Sequence, residues 1–339
     1  MTWTATTAAF TPHSADRLPV PGTSIEHLAM DKVAEHVARA RRRQHYGGPE
    51  DAIEYLEARD CLAPYNGEVC ATIAGLLCFG RNPQAVLPHA VVDLGHYAGT
   101  EAISSDVLHL EKNIGGTIFD QLERVEHYIH RNTFHGMTLP DRGYERVEID
   151  QYPPAVIREL GVNMLAHRDY GIIGSASRVV MYANRIDWIS PGGLPPGVSV
   201  DTLIEAQQAR NPMLLRILHE AGYVEAFGQG LDTVVQVLRQ EQMDAPSFRD
   251  IVSAFIVTVY GRQLDQGAEL PLNLELTKVQ RQILVYLRSR HTATPRDLRE
   301  YFTERTARSI QRDIRALMDA GLVEQIGESV SVRYTLRES

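Results

Sequence analysis

The sequence predicts an α+β chain in which a central α/β sandwich is followed by a small basic C-terminal domain. Three observations carry that expectation. A helix opening at Pro153-Pro154 is followed by two short strands, 178–182 and 185–190, around an Ala183-Asn184 turn. Residues 251–260 are the most strand-like run in the chain and suit a strand that closes a sheet. Residues 276–339 hold 12 Lys and Arg against 8 Asp and Glu, while the rest holds 22 against 35. Within a net charge of −9, this sets one basic module on an acidic body and excludes a chain coated in nucleic acid along its length.

The 339 residues suit two or three domains. Residues 1–22, rich in Thr, Ala and Pro without an apolar period, read as a flexible arm or the remnant of a lost domain, and equally as a cloning or gene-start artefact. Residues 23–104 read as a connecting region of helices and a strand. Its first helix has Met30, Val33, Val37 and Ala40 on one stripe, and Arg41-Arg42-Arg43 reads as a solvated helix end. A second helix covers 49–58, and residues 68–78 have a helical period through Val69, Ile73, Leu76 and Leu77. Residues 89–97 read as a strand.

The central domain is placed at 105–262. Residues 107–131 predict a long amphipathic helix through Leu108, Ile114, Ile118, Leu122, Val125 and Ile129, and 146–150 alternates like a strand. His127, His130 and His135 lack a carboxylate or Cys at ligand spacing and read as surface histidines. The helix after Pro153 is unusual. Val156, Leu160 and Met164 form a core stripe, and Glu159, Asn163 and His167 form the neighbouring stripe at the same spacing. A carboxylate there can deprotonate a water, and an amide oxygen can help hold magnesium. The same stripe also fits a half-buried helix whose polar side meets solvent.

A glycine loop follows at Pro191-Gly192-Gly193-Leu194. Asn211-Pro212 reads as a capped helix start, and Gly228-Gln229-Gly230 opens a helix over 231–240. Glycines let backbone N–H groups approach phosphate, and helix N-termini favour anions. His167-Arg168-Asp169 also occurs in kinase catalytic loops, but the chain lacks an Asp-Phe-Gly downstream and an upstream glycine-rich hairpin with its following lysine.

After a polar linker at 263–275, residues 276–339 read as three helices (277–289, from 295, and 306–320) and a two-stranded ribbon. The third helix has Ala307, Ile310, Ile314 and Leu317 inward and Arg308, Arg312 and Arg315 outward, with Ser309 and Gln311 beside them and Arg305 just ahead. This looks like a winged helix-turn-helix whose third helix enters the major groove of double-stranded DNA. Such units also serve in dimerisation or protein docking.

From about Pro21 onward, this order of elements resembles the GHKL (Bergerat-type) ATP-binding fold. It is most similar to the divergent branch found in RecG-like C-terminal and Schlafen-associated regulators with a helix-turn-helix. The residues that carry the resemblance are Glu159, Asn163, 167–170, 190–195, 210–212 and 228–230. The resemblance implies Glu159 as general base and Asn163 as magnesium ligand. It implies an ATP site built from Asn163, His167, Asp169, Gly192, Gly193, Asn211, Gly228 and Gly230. Where the family has an adenine-reading Asp, this chain has Ile189 or Ser190, and Asp187 lies two residues too early. The family's upstream Schlafen-type module is expected to be missing.

No apolar run reaches the ~18 residues of a membrane span, the N-terminus lacks a signal-peptide pattern, and Cys61, Cys70 and Cys78 have no CxxC spacing. A cytoplasmic protein with free thiols and no membrane partner is expected. The expected function is a homodimeric, DNA-binding transcriptional regulator with an ATP- and magnesium-sensing domain. The alternatives are a GHKL-type ATPase acting in DNA processing or phage defence, and a scaffold whose nucleotide site has decayed.

Overall fold

A computed structural model describes residues 15–101, 107–138, 147–203, 208–224, 230–262, 277–290, 292–302, 305–327 and 332–337. In chain order its elements are α1 (Met30–Arg42), α2 (Ala52–Ala58), β1 (Leu62–Tyr65), β2 (Glu68–Ala71), α3 (Ile73–Phe79), β3 (Val92–Tyr97), β4 (Val107–Ile114), α4 (Ile118–Asn132), β5 (His135–Thr138), β6 (Val147–Asp150), α5 (Pro154–Ala166), β7 (Ser177–Met181), β8 (Arg185–Pro191), α6 (Pro212–Glu220), α7 (Gly230–Gln240), β9 (Ser247–Asp250) and β10 (Ala254–Tyr260). The C-terminal part adds α8 (Lys278–Arg290), β11 (Thr292–Ala293), α9 (Pro295–Tyr301), α10 (Ala307–Asp319), β12 (Val323–Ile326) and β13 (Arg333–Leu336).

The chain is an α+β protein built on a six-stranded sheet of order β4-β3-β7-β8-β10-β9, with β3 and β7 parallel and the other neighbours antiparallel. Helix α5 lies against β8 and touches α4, α6 and α7. Its stripe of Val156, Leu160 and Met164 is buried as the period predicts. Strand β8 alternates its side chains between faces. Trp188 and Ser190 face α5, whose Met164 carbonyl accepts the Ser190 hydroxyl at 2.8 Å. Asp187 faces the other side, where Thr258 Oγ1 donates to it at 2.8 Å.

Several expectations need correction. Residues 107–131 are not one helix: β4 ends at Ile114, Asn113 and Gly116 adopt φ of 59° and 88°, and a Thr117–Asp120 capping box starts α4. Leu108 and Ile114 fit either period, so the pattern concealed the break. Residues 68–78 split into β2 and α3, because Thr72 accepts from the Gly75 amide and caps the helix there. The 251–260 strand starts at Ala254, since Val252 takes φ of 65° in a turn after β9. Strand β3 sits inside the sheet, so the sheet begins upstream of residue 105. Residues 15–22, expected in a flexible arm, are tied down: Val20 N donates to Ala71 O at 2.9 Å and Ile73 N to Leu18 O at 3.0 Å.

The N-terminal helices meet the far end of α6 in a buried polar cluster. Glu220 accepts from Tyr55 Oη at 2.7 Å and from Arg59 Nε at 2.7 Å, and His36 Nε2 lies 3.6 Å away. Burial alone would raise the Glu220 carboxyl, but His36, Arg59 and Tyr55 together outweigh it and hold the group below its usual pKa, and burial pushes the Tyr55 phenol far up. Cys61, Cys70 and Cys78 are free and buried.

Helices α8–α10 pack with the sheet β11-β13-β12 around a separate hydrophobic cluster that includes Ile283, Leu287, Leu298, Ile310 and Leu317. A Thr294–Asp297 capping box starts α9, and Thr306 caps α10. The unit touches the body where Tyr301 Oη donates to Asn132 Oδ1 at 3.1 Å and Gln282 Nε2 to Leu108 O at 2.9 Å. Among the described residues, no helix is long and apolar enough to cross a membrane.

Candidate functional site

A cavity of about 220 Å³ lies between α5, the start of α7, the glycine loop and the β8–β10 wall. Glu159, Asn163 and His167 line it from α5, Gly192 and Gly193 from the loop, and Gly230, Leu231 and Asp232 from α7. Trp188, Ser190, Phe255 and Val257 form the sheet wall. An acid, an amide, an imidazole, the Gly192-Gly193 loop and Gly230, distant in sequence, therefore share one space.

The polar stripe of α5 is held in a helix whose other residues are apolar except for the exposed Arg158. Glu159 is 6% exposed, and Asn163 and His167 are half-buried. Asn163 Nδ2 donates to the Glu159 carbonyl at 2.8 Å, which commits the amide nitrogen to the backbone. Gly230 stands directly against this pair: a Cβ there would lie 2.7 Å from Asn163 Nδ2 and 3.0 Å from Glu159 Oε2. Glycine is thus what lets the first turn of α7 approach the acid and the amide. Burial, helped by the nearby Arg210 charge, pushes the His167 imidazole down to about 4, so it is neutral at pH 7.

The glycine loop is shaped by its neighbours. Gly192 takes φ of 96°, and a Cβ there would collide with the Arg210 guanidinium. Arg210 lines the cavity, donates to the Gly193 carbonyl, and pairs with Asp169 at 3.2 Å. The loop amides are also anchored, Gly192 N to Ser253 O at 2.9 Å and Gly193 N to Val252 O at 2.9 Å.

Two expected ligand contacts stand apart from the cavity wall. Asp169 orients Arg210 instead of lining the cavity itself. Asn211 is fully buried and makes no side-chain cap; its Nδ2 donates to the carbonyls of Ala166 at 2.8 Å and Arg168 at 2.7 Å. It braces the end of α5 against the start of α6. Gly228 lies outside the described residues. Sequence reasoning did not select Trp188, whose buried indole N–H has no acceptor among the described residues, because a Trp in a strand reads as core. Arg210 belongs to the 210–212 stretch that carries the resemblance but was assigned no role in the site.

On α10, Arg308, Gln311, Arg312 and Arg315 are exposed, opposite the buried Ile310, Ile314 and Leu317. Arg305 is exposed and donates to Ser309 Oγ at 3.2 Å, while the Ser309 amide is taken by the Thr306 cap.

With this geometry in view, comparisons define what the chain is similar to. Residues 174–259, from β7 to β10, match the HATPase_c_4 family, described as "Putative ATP-dependent DNA helicase recG C-terminal". The crystal structure of the DIP2311 protein from Corynebacterium diphtheriae superposes with a TM-score of 0.59 at 17% identity. That match covers 95% of this chain and 64% of the other, so it speaks for a shared fold. Curated proteins yield no match.

Proposed function

We propose that this is a divergent GHKL-type protein that binds ATP with magnesium in the cavity and hydrolyses it. The observation that carries this reading is the approach of Gly230, which lies inside the 174–259 region similar to an HATPase family, to Asn163 and Glu159, which precede that region. Magnesium, when bound, neutralises phosphate charge and orients the terminal phosphoryl group. The residues present fit it: Asn163 has its nitrogen committed to the backbone, which leaves Oδ1 as the oxygen donor. Glu159 is the general base that takes a proton from the attacking water as the phosphorus–oxygen bond to the leaving ADP breaks. Backbone amides of the α7 start face the phosphates, while the glycine-loop amides stay bonded to Ser253, Val252 and Asp250 and shape the wall beside them. Trp188, Phe255 and Val257 offer an apolar wall to the base. Ser190 takes the place of a base-reading carboxylate, because Asp187 faces away from the cavity.

Calorimetry with ATP and magnesium, paired with a phosphate-release assay, tests this reading. Turnover that is lost in Glu159→Ala while binding persists is the expected outcome. If millimolar ATP gives neither heat nor a rise in melting temperature, the reading fails and a decayed, scaffolding site takes its place.

A second reading concerns the C-terminal unit, and its motive is the exposed basic face of α10. In this reading α8–α10 with the β12–β13 ribbon form a winged helix-turn-helix. Arg308, Gln311, Arg312 and Arg315 face the major groove of double-stranded DNA, and Arg305 and Ser309 face the backbone. A homodimer would set two such helices at a fixed spacing, and the nucleotide would bias that spacing, whether the output is transcriptional control, DNA processing or phage defence.

A further inference from the structure

We propose that Asp16 is a positioning residue for the cavity: it holds the first turn of α6 and, through α6, sets Arg210 against the glycine loop. Asp16 is fully buried, and its Oδ2 accepts from the amides of Met213 at 2.7 Å and Leu214 at 3.1 Å. Those are first-turn amides with no partner inside their own helix. The residue at the local capping position, Asn211, has its side chain committed to Ala166 and Arg168. Helix α6 therefore takes its cap from a residue 197 positions away. The carboxylate also complements the positive end of the helix dipole.

The lever from Asp16 to the cavity is short. Arg210 stands two residues before Pro212, the first residue of α6, and its guanidinium touches both the Gly193 carbonyl and Asp169. The other end of α6 is fixed by the same part of the chain. Glu220 bonds Tyr55 and Arg59, Arg43 Nη1 reaches the Ala221 carbonyl, and His45 Nδ1 lies 3.0 Å from the His219 carbonyl. Residues 16–59 thus grip both ends of the helix that follows directly on the cavity arginine. The N-terminal region supports the cavity wall through α6 without lining it.

The test compares Asp16→Ala, Asp16→Asn and Arg210→Ala with the unaltered protein, well below every melting temperature. Hydrogen exchange is followed at Met213–Leu215 and at Gly192–Leu194, where the amides are bonded to Ser253, Val252 and Asp250. In Asp16→Ala, exchange rises about tenfold in both places, on the scale of a lost helix cap. Asp16→Asn keeps an acceptor oxygen and gives a smaller rise in both places. Arg210→Ala raises exchange only at Gly192–Leu194, and adding Asp16→Asn to it raises that segment no further. Exchange confined to α6, or additive effects at Gly192–Leu194, would reduce Asp16 to a plain helix cap and overturn the proposal. A second arm rests on the nucleotide reading: the Kd for ATP with magnesium weakens about fivefold to tenfold in Asp16→Ala and partly recovers in Asp16→Asn. An unchanged Kd beside faster loop exchange would also overturn the proposal. Should the unaltered protein bind no ATP, the nucleotide reading fails and the exchange results alone decide the role of Asp16.

Discussion

Gly230 approaches Asn163 so closely that a methyl group on its Cα would come within 2.7 Å of the Nδ2 atom. The same methyl would lie 3.0 Å from Glu159 Oε2, so it cannot be added without displacing one of the two polar side chains. The backbone of Gly230 is outside the left-handed region, and the residue opens α7, so alanine is acceptable to the helix itself. Gly230→Ala should therefore leave the melting temperature within a few degrees of the parent. It should weaken binding of ATP with magnesium by about tenfold or more, because a lost charge-assisted contact in a closed site is worth at least about 1.4 kcal/mol. Calorimetry beside thermal melting checks both halves. Unaltered affinity would mean that Asn163 and Glu159 do not contact the ligand.

That arrangement was partly legible in the sequence. The Glu159, Asn163 and His167 stripe follows from helical period alone, because each lies one turn beyond the last beside a core stripe. The glycine loop was visible because Gly192 needs a conformation that other residues rarely adopt. What stayed hidden depends on distant partners. Nothing local to Asp16 marks it as the cap of a helix beginning at Pro212, and nothing local to Asn211 separates a cap from a brace. Leu108 and Ile114 satisfied a helical period by coincidence, and only pairing with β3 decides for a strand.

The brace at Asn211 predicts a stability effect of a particular kind. Asn211→Ala would leave the carbonyls of Ala166 and Arg168 without their amide partner at the junction of α5 and α6. Orphaned buried acceptors cost about 1–3 kcal/mol each, so a loss of roughly 2–6 kcal/mol is expected in urea denaturation. A direct ligand role would instead give a stable protein with weakened binding.

His167 predicts how stability depends on pH. Its folded-state pKa is pushed down to about 4 by burial and then by Arg210, from an ordinary 6.5. Between these values the unfolded chain binds a proton that the folded chain refuses, so stability falls as pH drops from 6.5 towards 4, and His167 has no effect above that window. The full effect is on the order of 3 kcal/mol. Buried His96, also pushed down to about 4, acts in the same window, so the parent curve holds both contributions. His167→Gln should flatten the curve in part, and the double change with His96→Gln should flatten it further. Denaturation midpoints across this range provide the measurement. A His167→Gln curve parallel to the parent would show that the imidazole is solvated.

The exposed face of α10 predicts how DNA affinity would depend on salt. Arg308 and Arg312 lie one turn apart, opposite the buried Ile310 and Ile314, so removing them should leave the fold intact. Each phosphate neutralised by a side chain releases about one counterion, and the logarithm of affinity falls with the logarithm of salt in proportion. If both arginines contact phosphate, the Arg308→Ala, Arg312→Ala double change should reduce that slope by about two and weaken binding to every sequence alike. If one of them reads a base edge, the slope should fall by about one and discrimination at a single base pair should relax by roughly 1–3 kcal/mol. Titrations of duplex DNA at several salt concentrations separate these outcomes. An unchanged slope would turn α10 away from DNA and leave its basic face to a protein partner.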